Sequence, residues 1–232
     1  FKQLLLAHLP RLLKDGLETE LSVGLGSSIL AGESARHQDL RSITAVEIEP
    51  GVIEGAGYFA GESGGILDDP RLEVVNDDIN SFLHTTDRRF DVITADEKTA
   101  DEYASNGFSY SLDYYRLLLE RLAPGGLAVQ VVPGTLPPRQ YRMILKTFAR
   151  GFPHVQVWSF LPAHRLGPFN TILVGSAEPV PVDLPAIRRR FAEQREALAS
   201  LVPYGITSAE TLVPHFVAAD AVIREAVAEK PW

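Results

Sequence analysis

The stretch Ser22-Val23-Gly24-Leu25-Gly26-Ser27-Ser28 ("SVGLGSS") decides how the chain is read. It follows a short apolar run and precedes a helix-like segment. Glycines one residue apart at such a junction let a backbone pass close to a ligand. A dinucleotide fingerprint, G-x-G-x-x-G, would need glycine at the third position, and Ile29 stands there. The P-loop lysine is also missing. The loop therefore fits a nucleoside without a pyrophosphate, or a tight turn with no ligand at all.

Outward from this loop the sequence alternates strand-like and helix-like segments. "LLLAHLPRLLK" (Leu4 to Lys14) reads as an apolar-faced helix interrupted by Pro10, and "ELSVGL" as the first strand. Further strands are expected at "SITAVEIE" from Ser42, "RLEVVN" from Arg71, "RFDVITAD" from Arg89 and "GLAVQVVP" from Gly126. Helices are expected at "PGVIEGAGYF", "DINSFLHTT", "SLDYYRLLLERLA" (closed by Pro124-Gly125-Gly126) and "PRQYRMILKTFARGF". "HVQVWSF" and "NTILVGS" follow as late strands with no clear helix between them. This rhythm predicts an α/β fold with a doubly wound, mostly parallel sheet and antiparallel end strands. Pro179 to Pro185 reads as a linker, and the remainder as two or three helices packed on one side.

Composition narrows the function classes. The 232 residues are 45% hydrophobic and 22% charged, enough for a sizeable core. A net charge of -8 argues against nucleic acid as a partner. With no cysteine, disulfides and thiolate catalysis are excluded. No apolar run reaches bilayer-spanning length, and no signal peptide is visible. The chain opens on Phe1, as an excised piece of a longer protein would. Its six histidines show no metal-ligand spacing, and no Ser-His-Asp set is recognisable.

In a doubly wound sheet ligands bind at the carboxyl ends of the strands. The residues expected there are Gly24 to Ser28, Glu47 and Glu49, Asp77 and Asp78, and Asp96. Glu47 lies about twenty residues after the glycines, where an acid accepts from ribose hydroxyls; Glu49 shares its face, so spacing does not choose between them. A carboxylate at Asp77 or Asp78 can accept from an adenine amine or cap the next helix. Together they suggest an adenosyl group, as in S-adenosylmethionine or its decarboxylated form. The loop from Glu97 to Ser109 is a candidate lid, with Tyr103, Phe108 and Tyr110 as walls or helix anchors. Gln130 faces the site on one of the two phases of its strand.

"LSVGLGSS", "ITAVEIEPGVIEGAGYF", "DPRLEVVNDDINSFL", "RFDVITAD", "YYRLLLERLAPGGLAVQVVP" and "KTFARGFPHVQVW" together resemble the spermidine synthase (polyamine aminopropyltransferase) family, from about Leu4 to Ser176. The resemblance implies a Rossmann-like methyltransferase fold over residues 1–177, with a helical extension over 178–232. It implies transfer of an aminopropyl group from decarboxylated S-adenosylmethionine to an amine such as putrescine, with no metal or redox cofactor. Gly24 and Gly26 match the glycines under the nucleoside, Glu47 the ribose acid, Asp78 the adenine acid and Asp96 the catalytic aspartate. Ser27 stands where many members have an aspartate, and Ile79 where glycine is frequent. The second acceptor aspartate, before a proline, is missing; Glu97 or Asp101 substitutes loosely, with Tyr110 and Gln130 as further substrate contacts. The family's N-terminal β-hairpin domain, with its Tyr-His-Glu segment, is also missing. Some bacterial members are fused to membrane segments, so a cytoplasmic setting, free or membrane-attached, and a homodimer are expected. Two other readings remain: a methyltransferase on the same fold, and a nonenzymatic adenosyl-ligand domain of a membrane protein.

Overall fold

The computed structural model describes residues 1–96, 105–160 and 170–228, with residues 105 and 106 by backbone alone. Its strands are β1 (Thr19–Val23), β2 (Ser42–Glu47), β3 (Leu72–Asn76), β4 (Phe90–Ala95), β5 (Leu122–Pro133), β6 (His154–Phe160), β7 (Asn170–Ser176) and β8 (Phe216–Ala219). They form one sheet in the order β3-β2-β1-β4-β5-β7-β6-β8. β3, β2, β1, β4 and β5 run parallel. β7 enters antiparallel between β5 and β6, and β8 is antiparallel to β6. The fold is the Rossmann-like, mostly parallel α/β architecture with antiparallel end strands. The order of strand addition reverses between β1 and β4, which opens a crevice at their carboxyl ends.

Helices cover both faces. α1 (Lys2–Leu13), α2 (Ile29–Ala35), α3 (Pro50–Gly55), α7 (Leu184–Glu193) and α8 (Ala209–Leu212) pack on one face. α4 (Ile79–Thr85), α5 (Leu112–Arg121), α6 (Pro138–Gly151) and α9 (Asp220–Val227) cover the other. Strand alternation divides the core between them: Leu127, Val129 and Val131 of β5 join the α1 side, while Ala128 and Val132 meet α5 and α6.

Three local readings of the sequence need correction. α1 runs through Pro10 without a break. Pro10 lies in the last turn, where its carbonyl accepts from Lys14 N at 2.9 Å, and Leu5, Leu6, Leu9, Leu12 and Leu13 bury the helix face. β5 begins at Leu122 rather than Gly126, because Leu122 pairs with Phe90 before a register shift and Pro124 favours extended backbone. The C-terminal region is not confined to one side: it adds the edge strand β8, and α9 crosses to pack on α6 and β6. Arg190 of α7 anchors this region to the end of α1, donating to the Leu12 and Leu13 carbonyls (3.1 and 2.9 Å) and to Asp15 (2.7 and 2.9 Å). That guanidinium is the main cause holding the Asp15 carboxyl down at about 2.

A buried polar network fixes α1 against α2. His8 Nδ1 lies 2.8 Å from His37 Nε2, and His8 Nε2 is 3.0 Å from both Glu33 Oε2 and Ser200 Oγ. Burial pushes both imidazoles down, His37 to about 2, with the Arg11 charge adding to it at His37. These rings fold neutral. The unfolded chain protonates them below about pH 6.5, so stability is fully present above that value and falls as the pH drops through it. His37 alone should remove about 1.4 kcal/mol per pH unit. Denaturant titrations from pH 7.5 to 5 should show this slope, and His37→Gln should flatten it by about one proton.

Candidate functional site

A cavity of about 460 Å³ opens at the carboxyl ends of β1, β2 and β4. Gly24, Leu25 and Gly26 form its floor, and Glu47, Asp77, Asp78, Ile79 and Asp96 border it. Gly24 and Gly26 hold φ of +85° and +52°, the left-handed region that glycine adopts without strain. The turn exposes N–H groups that Glu47 collects. Its Oε2 accepts from Leu25 N at 3.0 Å and Gly26 N at 3.4 Å, and its Oε1 accepts from Glu49 N at 3.1 Å. Glu47 is buried at 8% exposure, whereas Glu49 is exposed and precedes α3. The choice between the two acids that spacing left open falls on Glu47 as the cavity residue.

Asp78 caps a helix and lies on the cavity. Its Oδ1 accepts from Asn80 N (2.9 Å) and Ser81 N (3.1 Å), capping α4, and the residue also borders the cavity. Asp77 Oδ1 accepts from Asp78 N at 2.8 Å. Asp96 follows β4, with its side chain 18% exposed. Lys2 Nζ lies 2.7 Å from its Oδ1. Burial raises the Asp96 carboxyl above the ordinary range, and the Lys2 hydrogen bond and charge oppose that rise. Among the described residues no cluster of metal-binding side chains occurs, and no helix is long and apolar enough to cross a membrane.

The spermine/spermidine synthase domain model matches residues 1–160. The chain belongs to the spermine/spermidine synthase family. It is 33% identical over 160 residues to polyamine aminopropyltransferase 1 of Pseudomonas aeruginosa, covering 68% of this chain and 54% of that protein. It is 31% identical over 215 residues to the polyamine aminopropyltransferase of Mycobacterium tuberculosis, covering 86% of this chain and 39% of that protein. The chain therefore spans about half or less of the length of these curated relatives. The spermidine synthase structure from Thermotoga maritima superposes with a TM-score of 0.72 at 17% identity, covering 97% of this chain and 74% of that one. That likeness places the fold.

Within the family fold, the structure brings Gly24, Gly26, Glu47, Asp77, Asp78 and Asp96 together around one cavity. Among the described residues, Ser27, Gln130 and Tyr110 stand off the lining. Ser27 Oγ turns to Gln3 Nε2 at 3.3 Å. Gln130 is 1% exposed on the α5 side of the sheet, where its Oε1 accepts from the Tyr115 hydroxyl at 2.8 Å and its Nε2 donates to the Ser109 carbonyl at 3.3 Å. The phase of β5 thus makes Gln130 a support for Ser109, which lines the cavity. Tyr110 stands outside the lining; Phe108 is the aromatic residue of that turn inside it. Asp101, Glu97 and Tyr103 lie outside the described residues. The sequence reading missed Lys2 and Gln3, because nothing local in α1 says that its first turn overhangs β1 and β4.

Gln130→Leu should leave nucleoside affinity within about twofold and lower stability by about 1–3 kcal/mol, the cost of a buried Tyr115 hydroxyl left without this partner. Calorimetric binding beside a denaturant melt separates the two; a large affinity loss with unchanged stability would return Gln130 to the site.

Proposed function

We propose that the protein transfers an aminopropyl group from decarboxylated S-adenosylmethionine to an amine. The observation that carries this reading is Asp96: a carboxylate on the adenosyl-sized cavity that already holds an alkylammonium, Lys2 Nζ, at 2.7 Å. Family membership supports it. Residues 1–177 bind the nucleoside and carry the chemistry, and 178–232 buttress them. Gly24 and Gly26 pass beneath the nucleoside, Glu47 accepts from the ribose hydroxyls, and Asp77 and Asp78 face the adenine edge. The protein acts in the cytoplasm.

An alkylamine in water is protonated, with a pKa of about 10, and has no lone pair for attack. Asp96 orients the ammonium, accepts its proton, and leaves the nitrogen free to attack the methylene beside the sulfonium. The C–S electron pair returns to sulfur, which departs as methylthioadenosine. A sulfonium leaves readily, so this chemistry needs no metal.

Methylthioadenosine release with spermidine identified by mass tests the reading. Asp96→Asn should lower kcat and kcat/KM by about 10²–10⁴-fold with little change in nucleoside affinity. Raising the pH should recover part of the rate. An equally fast Asn variant removes Asp96 from the mechanism, and a parent silent with every amine removes the transferase reading.

Glu47→Gln should weaken methylthioadenosine binding by about 10- to 100-fold, because charge-assisted hydrogen bonds worth about 1.5–3 kcal/mol are lost. Unchanged affinity by calorimetry would exclude Glu47 as the ribose acid.

A further inference from the structure

A second cavity, of about 520 Å³, lies between the C-terminal half of α2 and the loop that enters β3. That is the amino edge of the parallel strands, the opposite end of the sheet from Gly24 and Asp96. Gly32 of α2 and the loop Gly61-Glu62-Ser63-Gly64-Gly65 both line it. They pack so closely that a Cβ on Gly32 would run into the Ser63 carbonyl. Gly64 and Gly65 hold φ of +65° and +73°, a region that glycine adopts without strain, so the sequence of the loop specifies its shape.

Four carboxylates border this cavity against two guanidiniums, an excess of two negative charges. Asp69 is matched by Arg71, whose Nη2 lies 2.7 Å from its Oδ2. Glu33 has Arg36 at 3.9 Å and also accepts from Ser200. Glu62 and Asp68 are exposed, and among the described residues neither meets a cation. Between them in the chain stands Ser63, which is 4% exposed and whose hydroxyl has no hydrogen-bond partner. Buried hydroxyls are as a rule partnered, so this one is a group that a ligand can satisfy. Ala35, Ile66 and Pro70 give the cavity an apolar wall. Among the described residues no group of side chains suits a metal ion. Two separated acids beside an apolar wall suit two ammonium groups joined by a short hydrocarbon chain.

We infer that this cavity is a diamine-binding site separate from the catalytic one. Glu62 takes one ammonium and Asp68 the other, the Ser63 hydroxyl accepts an N–H from the nearer of them, and the methylenes lie against Ile66 and Pro70. A dication cancels the excess charge of the cavity, which a monoamine does only by half. The site needs no turnover and stands independently of the aminopropyl-transfer reading.

The test is calorimetry of putrescine and butylamine, which share a four-carbon chain and differ by one ammonium. The catalytic cavity also offers Asp96 to an amine, so the site is read as the part of putrescine binding that the double variant Glu62→Gln, Asp68→Asn loses. That part should be one equivalent, about fivefold tighter for putrescine than for butylamine. Either single variant should bring putrescine down to the butylamine level, and Ser63→Ala should weaken it by about fivefold. Glu62 and Asp68 are exposed, so the melting temperatures of their variants should match the parent. Asp96→Asn should leave this equivalent in place. A putrescine isotherm that the double variant does not change overturns the inference, as does loss of the same equivalent in Asp96→Asn. Displacement of putrescine by an equal concentration of magnesium marks an unspecific acidic surface and overturns it too. A parent that binds the equivalent yet transfers no aminopropyl group sustains the site and removes the transferase reading alone.

Discussion

The site depends on one carboxylate taking three backbone N–H groups. Glu47 ends β2, yet its oxygens reach across to Leu25 and Gly26 after β1 and back to Glu49. The Leu25 and Gly26 donors sit in a turn with left-handed glycines, and the Glu49 donor lies in extended backbone before α3, so no helix or strand satisfies them otherwise. A charged acceptor makes each bond stronger than a neutral one would be. The register of β1 against β2, Val23 beside Val46, sets the reach. If that pairing slipped by one residue, Glu47 would point to the other face and the turn would lose its partner.

A second constraint places the first turn of α1 over the cavity. Arg11 donates to Glu20 Oε2 at 2.8 Å, and both side chains are buried. Glu20 lies on β1, where its Oε1 also accepts from Ser34 Oγ of α2 at 3.0 Å. A buried ion pair contributes little net stability, but breaking one side leaves an uncompensated charge. Such a pair therefore fixes where α1 sits more than how strongly it is held. With the neutral His8–His37 contact on the next turn, it orients the helix so that Lys2 meets Asp96 and Gln3 meets Ser27.

The parts of this architecture that were legible in the sequence share a physical origin. Parallel strands are buried on both faces, so "LSV", "ITAV" and "FDVITA" stand out as apolar runs, each delivering a glycine or an acid at its end. Four cavity residues follow from that pattern, Gly24, Gly26, Glu47 and Asp96, while Asp77 and Asp78 follow the half-exposed edge strand β3. The misreadings come from tertiary context. β8 is four residues long and owes its existence to the free edge of β6. Gln130 was undecided because a period of two offers either face, and only the Tyr115 hydroxyl across from it settles which. Lys2 and Gln3 carry no motif; their meaning comes from a helix packed far along the chain from Asp96.

Asp96 is where these constraints meet in opposition. Burial at the end of β4 favours its neutral form, which could not take a proton from an amine. A cation beside it favours the ionised form. In the structure that cation is Lys2; under the proposed aminopropyl transfer, this internal ammonium holds the base ready until the acceptor's ammonium replaces it. The exchange of one ammonium for another keeps the local charge constant, and the carboxylate need not pass through an unpaired state in a partly buried site. The entering amine differs from Lys2 in one respect that matters for chemistry: it is not tethered to α1. Its nitrogen is free to advance toward an electrophile as its proton leaves, whereas the Lys2 nitrogen is tied to the first turn of a helix that buried polar contacts hold in place.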